Sequence, residues 1–193
     1  MLNQAPRSGA VQLVTTELLK LWKPRAVIMT GIAFGKDSKR QRIGDVLVSD
    51  RVISYEPARI SENSVQQRGT HPNAGVVLLN RFRNAIGWTF SNPSGEVCSV
   101  HIGPILSGEK LIDDVEFKNK LFDEYPNALG GEMEGSGVAA AADREKREWI
   151  IVKGICDWGD GTKNKLHQEF AAAASISLVV HVLNQPGAFD ALE

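Results

Sequence analysis

ALGGEMEGSGVAAAADREKREWIIVKGICDWGD, residues Ala128–Asp160, is the stretch that decides the fold. Its small residues from Ala128 to Gly131 read as a short strand and a turn. VAAAADREKRE, from Val138, reads as a helix with a closely packing Ala-rich face, since Ala is the strongest helix former. WIIVKGIC (Trp149–Cys156) is apolar at alternate and intervening positions alike, the pattern of a strand covered on both faces. Strand, helix and buried strand in that order indicate an α/β domain.

Working outward, the same alternation continues. Val11, Val14, Leu18, Leu19 and Trp22 fall at helical spacing, and Lys23-Pro24 closes that helix. AVIMTGI (Ala26–Ile32) reads as a buried central strand running into Ala33-Phe34-Gly35, and GDVLVSD (Gly44–Asp50) and VISYE (Val52–Glu56) as two further strands. GVVLLNRF, within Ser61–Arg83, is either a helix opening near Asn73 or a strand. EVCSVHIGPILS (Glu96–Ser107) reads as a strand, Lys110–Phe122 as a short helix closed before Pro126, and Phe170–Leu183 as the last helix. The expected architecture is a central mixed β-sheet flanked by helices. Residues 1–193 form a single expected domain, because no repeat or Pro/Gly/Ser-rich linker divides them.

Composition narrows the function. At 42% hydrophobic residues with 18 Gly, the chain has the apolar share of an ordinary globular domain, which excludes disorder and collagen-like structure. Its 22 Lys plus Arg against 23 Asp plus Glu give a net charge of -1, so no global positive field exists to hold nucleic acid or an anionic membrane. No run approaches the roughly 18 apolar residues of a membrane span, and MLNQAPRSGAVQ lacks the order of a secretory signal. A cytoplasmic protein is expected. Cys98 and Cys156 are too few for a disulfide scaffold or a thiolate zinc site. The four histidines are scattered, so no metal site and no cofactor is assigned.

In open α/β sheets ligands collect beyond the carboxyl ends of strands, and three such ends carry chemistry. At Thr30-Gly31-Ile32-Ala33-Phe34-Gly35, Gly31 and Gly35 would let backbone N–H groups approach a ligand oxygen, or would simply make a tight turn. Glu132-Met133-Glu134 offers two carboxylates, either at a site or on the surface. Cys156-Asp157-Trp158 ends an apolar strand in an acid. Burial favours the protonated form of such a group and suits a proton donor, although Asp157 could equally open an Asx-type turn into Gly159-Asp160-Gly161. Local sequence leaves each pair of readings open.

The ordered strings TGIAFG, GDVLVSD, SGEKLID, GGEMEG, VKGICDWGD and the downstream KNK, from about Val11 to Leu183, resemble the nucleoside phosphorylase and methylthioadenosine/S-adenosylhomocysteine nucleosidase superfamily. GICDWGDGTKNK before an Ala-rich helix looks most like the phosphorylase-type domains attached to immune or signalling proteins, some of which act on ATP or other adenine nucleotides. The resemblance implies cleavage of a purine N-glycosidic bond through an oxocarbenium-like sugar. It gives Asp157 the role of the acid at purine N7 and Glu134 that of the carboxylate on the ribose 2′- and 3′-hydroxyls. Met133 would lie beneath the sugar with Glu132 beside it. Leu111 and Ile112 would cover the base, where the family often has an aromatic at the first position. Gly31, Ile32 and Cys156 complete the implied substrate-binding set.

Departures refine that expectation. Phosphorylases of the family often place an Arg just before the first glycine motif, whereas Met29 and Thr30 stand here, so water is favoured over phosphate as nucleophile. Cys156 replaces a common Ser. The family's first strand and glycine loop are missing before Met1, so the domain is expected to be truncated at its front. A non-catalytic nucleoside-binding module is the competing expectation. Lys36, Lys39, Arg40 and Arg42 with Asp37 carry +3 in seven residues. That run is a solvated loop or, through Lys39 and Arg40, a contact for nucleotide phosphates, with Lys163 and Lys165 as rivals. A homo-oligomer is expected by resemblance alone. No G-x-G-x-x-G opens a helix after the first strand, which argues against a dinucleotide fold.

Overall fold

The computed structural model describes residues 7–56, 58–61, 64–67, 69–92, 94–161, 164–188, 190 and 192. Lys163 lies outside them. The elements in chain order are α1 (Arg7–Trp22), β1 (Ala26–Gly35), β2 (Val46–Ser54), β3 (Ala58–Ser61), β4 (Ser64–Gln67), α2 (Val76–Arg83), β5 (Val100–Ser107), α3 (Val115–Glu124), β6 (Gly130–Glu132), α4 (Gly135–Arg144), β7 (Glu148–Asp157) and α5 (Lys165–Leu183).

Five strands form one mixed sheet that closes on itself in the order β1-β6-β5-β2-β7, while β3 and β4 make a separate antiparallel hairpin. β1 and β7 run parallel, as do β2, β5 and β6, and the two groups meet antiparallel at β1·β6 and β2·β7. Two irregularities help the ring to curve, since bulges bend a strand and increase its twist. One is at Asp50 in β2, between Ser49 and Arg51, and the other at Cys156 in β7, opposite the step from Ala33 to Phe34 in β1. The first also explains a difference from the sequence reading. GDVLVSD and VISYE are one strand, β2, carried through the polar Asp50-Arg51 pair by the bulge instead of turning there.

Gly130 and Gly131 make closure possible. A Cβ on Gly130 would stand 2.3 Å from the Phe34 carbonyl oxygen, and one on Gly131 would stand 2.3 Å from Phe34 Cζ. Only hydrogen fits where β6 crosses β1. β7 is the spine of the core, with Trp149, Ile150, Ile151 and Val152 no more than 1% exposed. Each such side chain contributes roughly 1.5–3 kcal/mol through burial.

β1 is less covered than its composition predicts. Ala26 to Ile32 are only half-buried. The cause is the pairing: β1 is bonded to β7 along its length, but β6 reaches only Phe34 and Gly35 on the other side. Among the described residues, the rest of that edge has no partner strand. GVVLLNRF forms the helix α2, resolving the alternative left open by its sequence, and α5 begins at Lys165 rather than Phe170. α5 is long and apolar enough, at mean hydropathy 1.3, to cross a bilayer by composition alone. Here it is a core helix: Ala171, Ala174, Leu178 and Val182 are buried, and Ala171 lies directly on Gly154 of β7.

The start of β2 is pinned to the start of β5 by a buried carboxylate. Asp45 is 2% exposed and accepts hydrogen bonds from Ser99 N–H (2.7 Å), His101 Nε2 (2.8 Å) and Arg42 N–H (3.0 Å). Its own carbonyl accepts Ile155 N–H at 2.8 Å, two residues before Asp157. Burial alone would raise the Asp45 carboxyl group's proton affinity, but the bonds from His101, Ser99 and Arg42 outweigh it and hold the pKa below the ordinary aspartate value. A depressed carboxyl pKa stabilises the fold above the unfolded-state pKa, and that contribution is lost as pH falls through the folded value. Thermal unfolding of the wild type should therefore drop more steeply than that of Asp45→Asn below about pH 4. Parallel melting curves from pH 5 to 3 would count against this role.

Candidate active site

The carboxyl ends of β1 and β7 and the short β6 open on a cleft of about 310 Å³. Its floor and walls bring together Glu132, Met133 and Glu134 after β6 with Cys156 and Asp157 at the end of β7. Ile32 enters from β1, and Leu111 and Ile112 enter from the loop before α3. Glu134 and Asp157, distant in sequence, thus face the same space.

The two glutamates have different jobs. Glu132 is 5% exposed, and its carboxylate accepts Gly135 N–H at 2.8 Å and Glu134 N–H at 3.0 Å, closing the N-terminus of α4. A carboxylate there is favoured by the helix dipole as well as by the free N–H groups. Ser107 Oγ accepts Ser136 N–H at 2.9 Å and secures the same turn. With Glu132 so engaged, Glu134 is turned into the cleft, its side chain 32% exposed.

Beneath both lies Lys153, which the sequence reading passed over. Its side chain is 3% exposed, and Nζ stands 3.3 Å from Glu132 Oε2 and 3.5 Å from Glu134 Oε2. A lysine inside an otherwise apolar strand had to have a buried acidic partner, because an unpaired buried ammonium is far too costly. That anomaly in WIIVKGIC was the available signal. Gly31 pairs with Lys153 in the β1·β7 register, and a Cβ there would come to 3.0 Å from Nζ. Gly31 does not line the cleft; the space it leaves is filled by the ammonium group.

Asp157 is 6% exposed. Its Oδ1 accepts Gly159 N–H at 2.8 Å, and Cys156 Sγ lies 3.1 Å from Oδ2. The Asx-type turn and the cleft position are therefore not alternatives: the turn, with Gly159 at φ +61° and Gly161 at φ +83°, holds the acid at the strand tip. Gly161 N–H also donates to Asp113 Oδ1 at 3.0 Å, tying this turn to the loop that carries Ile112. Ile112 is 4% exposed and forms the wall, while Leu111 is 64% exposed at the rim.

An aromatic surface is supplied from an unexpected quarter. Phe34 lines the cleft from β1, its ring fixed by an edge-to-face contact with Phe122 at 6.2 Å. Lys110 and Gln168 also line it, and neither carried a sequence signal. Lys39 and Arg40 do not. They sit on the turn after β1, where Lys39 N–H donates to Asp37 Oδ1 at 2.9 Å and Arg40 Nε lies 3.7 Å from Asp37 Oδ2. Lys165, at the start of α5, is absent from the lining as well. Cys98 and Cys156 are buried, and burial pushes the Cys98 thiol up to about 11. Among the described residues, no three His, Cys, Asp or Glu side chains converge as metal ligands.

The closed strand ring is that of an α/β protein whose cleft, at the ends of β6 and β7, carries two carboxylates. A sequence model of the phosphorylase superfamily matches residues 8–183, and the chain belongs to that superfamily. Nucleosidases are among the proteins it resembles. The death domain-containing ATP nucleosidase of Amphimedon queenslandica is 36% identical over 190 residues, covering 89% of this chain and 36% of that protein. The 5′-methylthioadenosine/S-adenosylhomocysteine nucleosidase of Haemophilus influenzae (strain PittGG) is 28% identical over 179 residues, covering 91% of this chain and 76% of that protein. The corresponding nucleosidase of Colwellia psychrerythraea 34H, solved in complex with adenine, shares the fold at a TM-score of 0.75 and 22% identity, covering 90% of this chain and 72% of that one. The chain thus spans little more than a third of the ATP nucleosidase's length.

Proposed function

We propose that this chain hydrolyses the N-glycosidic bond of an adenine-type purine nucleoside or nucleotide. The observation that carries the reading is the placement of Glu134 and Asp157 on one cleft. The β1·β7 register sets Lys153, beneath Glu134, opposite Gly31 and sets Asp157 opposite Phe34, three positions further along β1. At about 3.3 Å per residue the two ends of the site are roughly 10 Å apart along the strands. A ribose seated against Met133 and Glu134 would thus extend its base toward Phe34, Ile112 and Asp157.

In this reading the C1′–N9 bond breaks and its electron pair leaves with the purine, which takes a proton at N7 from Asp157. Glu134 holds the ribose hydroxyls and stabilises the positive charge that spreads over the sugar. The oxygen of a water molecule then joins C1′, and the proton it loses passes to solvent, from which Asp157 is reprotonated. Lys153 positions Glu134, and Glu132 holds Lys153 in place. The likeness to nucleosidases, one acting on ATP and one on methylthioadenosine and S-adenosylhomocysteine, supports an adenine-type substrate. By family resemblance the proposal includes a homo-oligomer in the cytoplasm.

Incubating the chain with adenosine, methylthioadenosine, AMP and ATP, with and without phosphate, tests it. Free adenine should appear from at least one of them at a rate independent of phosphate. Phosphate-dependent release would replace water as the nucleophile. Binding with no release from any substrate would identify a nucleoside-binding module instead.

A further inference from the structure

Gln168 stands on the first turn of α5. That turn is fixed at both ends: Asn164 Oδ1 accepts Leu166 N–H at 2.9 Å, and Ala171 lies so close to Gly154 that a Cβ on the glycine would come to 2.0 Å from Ala171 O. α5 follows β7 after a short loop and packs back along it, so its N-terminal turn lies beside the end of the strand. Gln168 is three residues, roughly 4.5 Å of helix, from Ala171 on the side nearer Asp157. Its side chain lines the cleft together with Cys156 and Asp157.

Gln168 is half-buried, and its side chain ends in an amide. Among the described residues it has no hydrogen-bond partner, whereas the buried amide of Gln41 accepts Lys36 and Asp37 N–H and donates to Leu129 O. Gln168 thus brings an amide, with its donor and its acceptor, to the wall of the cleft that also holds the proposed acid. The edge of adenine that carries N7 also carries the 6-amino group, and a glutamine amide is the side chain whose hydrogen-bonding pattern matches that edge. We propose that Gln168 is a specificity-determining residue that accepts a hydrogen bond from the 6-amino group of the purine while Asp157 serves N7. The assignment rests on the purine reading above and names the atom of the base that is read.

The test compares adenosine with purine riboside, which lacks any substituent at C6. Gln168→Leu should lower kcat/KM for adenosine relative to purine riboside by about three- to tenfold, the worth of one hydrogen bond. Gln168→Glu keeps the acceptor and should keep the wild-type ratio. Equal effects of Gln168→Leu on both nucleosides would overturn the assignment while leaving the hydrolase reading intact. Equilibrium binding of adenine and purine as free bases, to wild type and both variants, separates the two claims. If no nucleoside is cleaved but adenine still binds with a preference that Gln168→Leu abolishes, the hydrolase reading fails and the assignment stands. If Gln168→Leu leaves the adenine-to-purine affinity ratio unchanged, the assignment fails.

Discussion

Asp157→Asn is expected to lower kcat for base release by about 10²- to 10⁴-fold, the contribution typical of a general acid, with little change in thermal stability. Asparagine keeps the shape of the side chain and an oxygen that can accept the Gly159 N–H, so the turn after β7 should survive. What it lacks is a proton it can surrender. Loss of a transition-state interaction should also appear in kcat rather than in KM. A substrate whose leaving group needs no proton should be spared most of the effect, so nucleosides with activated leaving groups provide the internal control. An unchanged rate on adenosine would remove Asp157 from the chemistry and with it the proposed route for the departing base.

Lys153→Met is the second large expectation, and it acts on stability and activity together. Removing one partner from a buried charge cluster leaves the other uncompensated, at a cost of about 3–5 kcal/mol. Here the orphan would be Glu132, 1% exposed at its side chain, with Glu134 beside it and no cation between them. Glu132 would keep its bonds from Glu134 and Gly135 N–H, so α4 should still begin correctly. Glu134 would lose the ammonium 3.5 Å away that holds it in the cleft. Denaturant titration should show the stability loss and base-release assays a parallel loss of turnover. Adding Glu132→Gln to Lys153→Met should recover part of the stability without restoring turnover, because Glu134 stays unanchored. A single variant within 1 kcal/mol of wild type, roughly the worth of an exposed ion pair, would show that the cluster is not a buried one in solution.

The parts of the fold that were legible in sequence are those fixed by local pattern. The run from Ala128 to Asp157 has its strand, helix and strand where small residues, an Ala-rich face and a doubly apolar run predict them. The closed ring was not legible. It depends on a three-residue strand and on two bulges, none of which leaves a periodic trace, and the bulge at Asp50-Arg51 looks like a turn to any reading based on polarity. The hairpin of β3 and β4 was missed for the same reason, being four residues on each side.

In the site, residues carried by contiguous motifs were found: Glu132 to Glu134, Leu111-Ile112 and Cys156-Asp157 all line the cleft. Lys153 was not, although a charge in a buried strand advertises a partner. Phe34 was seen only as part of a glycine turn, because its role depends on β6 crossing β1. Gln168 is a polar residue on a helix turn, indistinguishable from a solvated one until the helix is laid against β7.

The unequal treatment of the two acids in Glu132-Met133-Glu134 has an evolutionary consequence. One is built into the scaffold and the other merely leans on it, so the chain can be silenced without being dismantled. A lineage that exchanged Glu134 for a neutral residue would keep its helix start and buried cation pair, and with them the walls of the cleft but not its hold on the ribose hydroxyls. The same exchange at Glu132 would take from Lys153 its buried partner, and from the start of α4 its carboxylate, and so threaten the scaffold. Descendants that keep the fold but have lost turnover should accordingly differ at the second acid of this motif far more often than at the first.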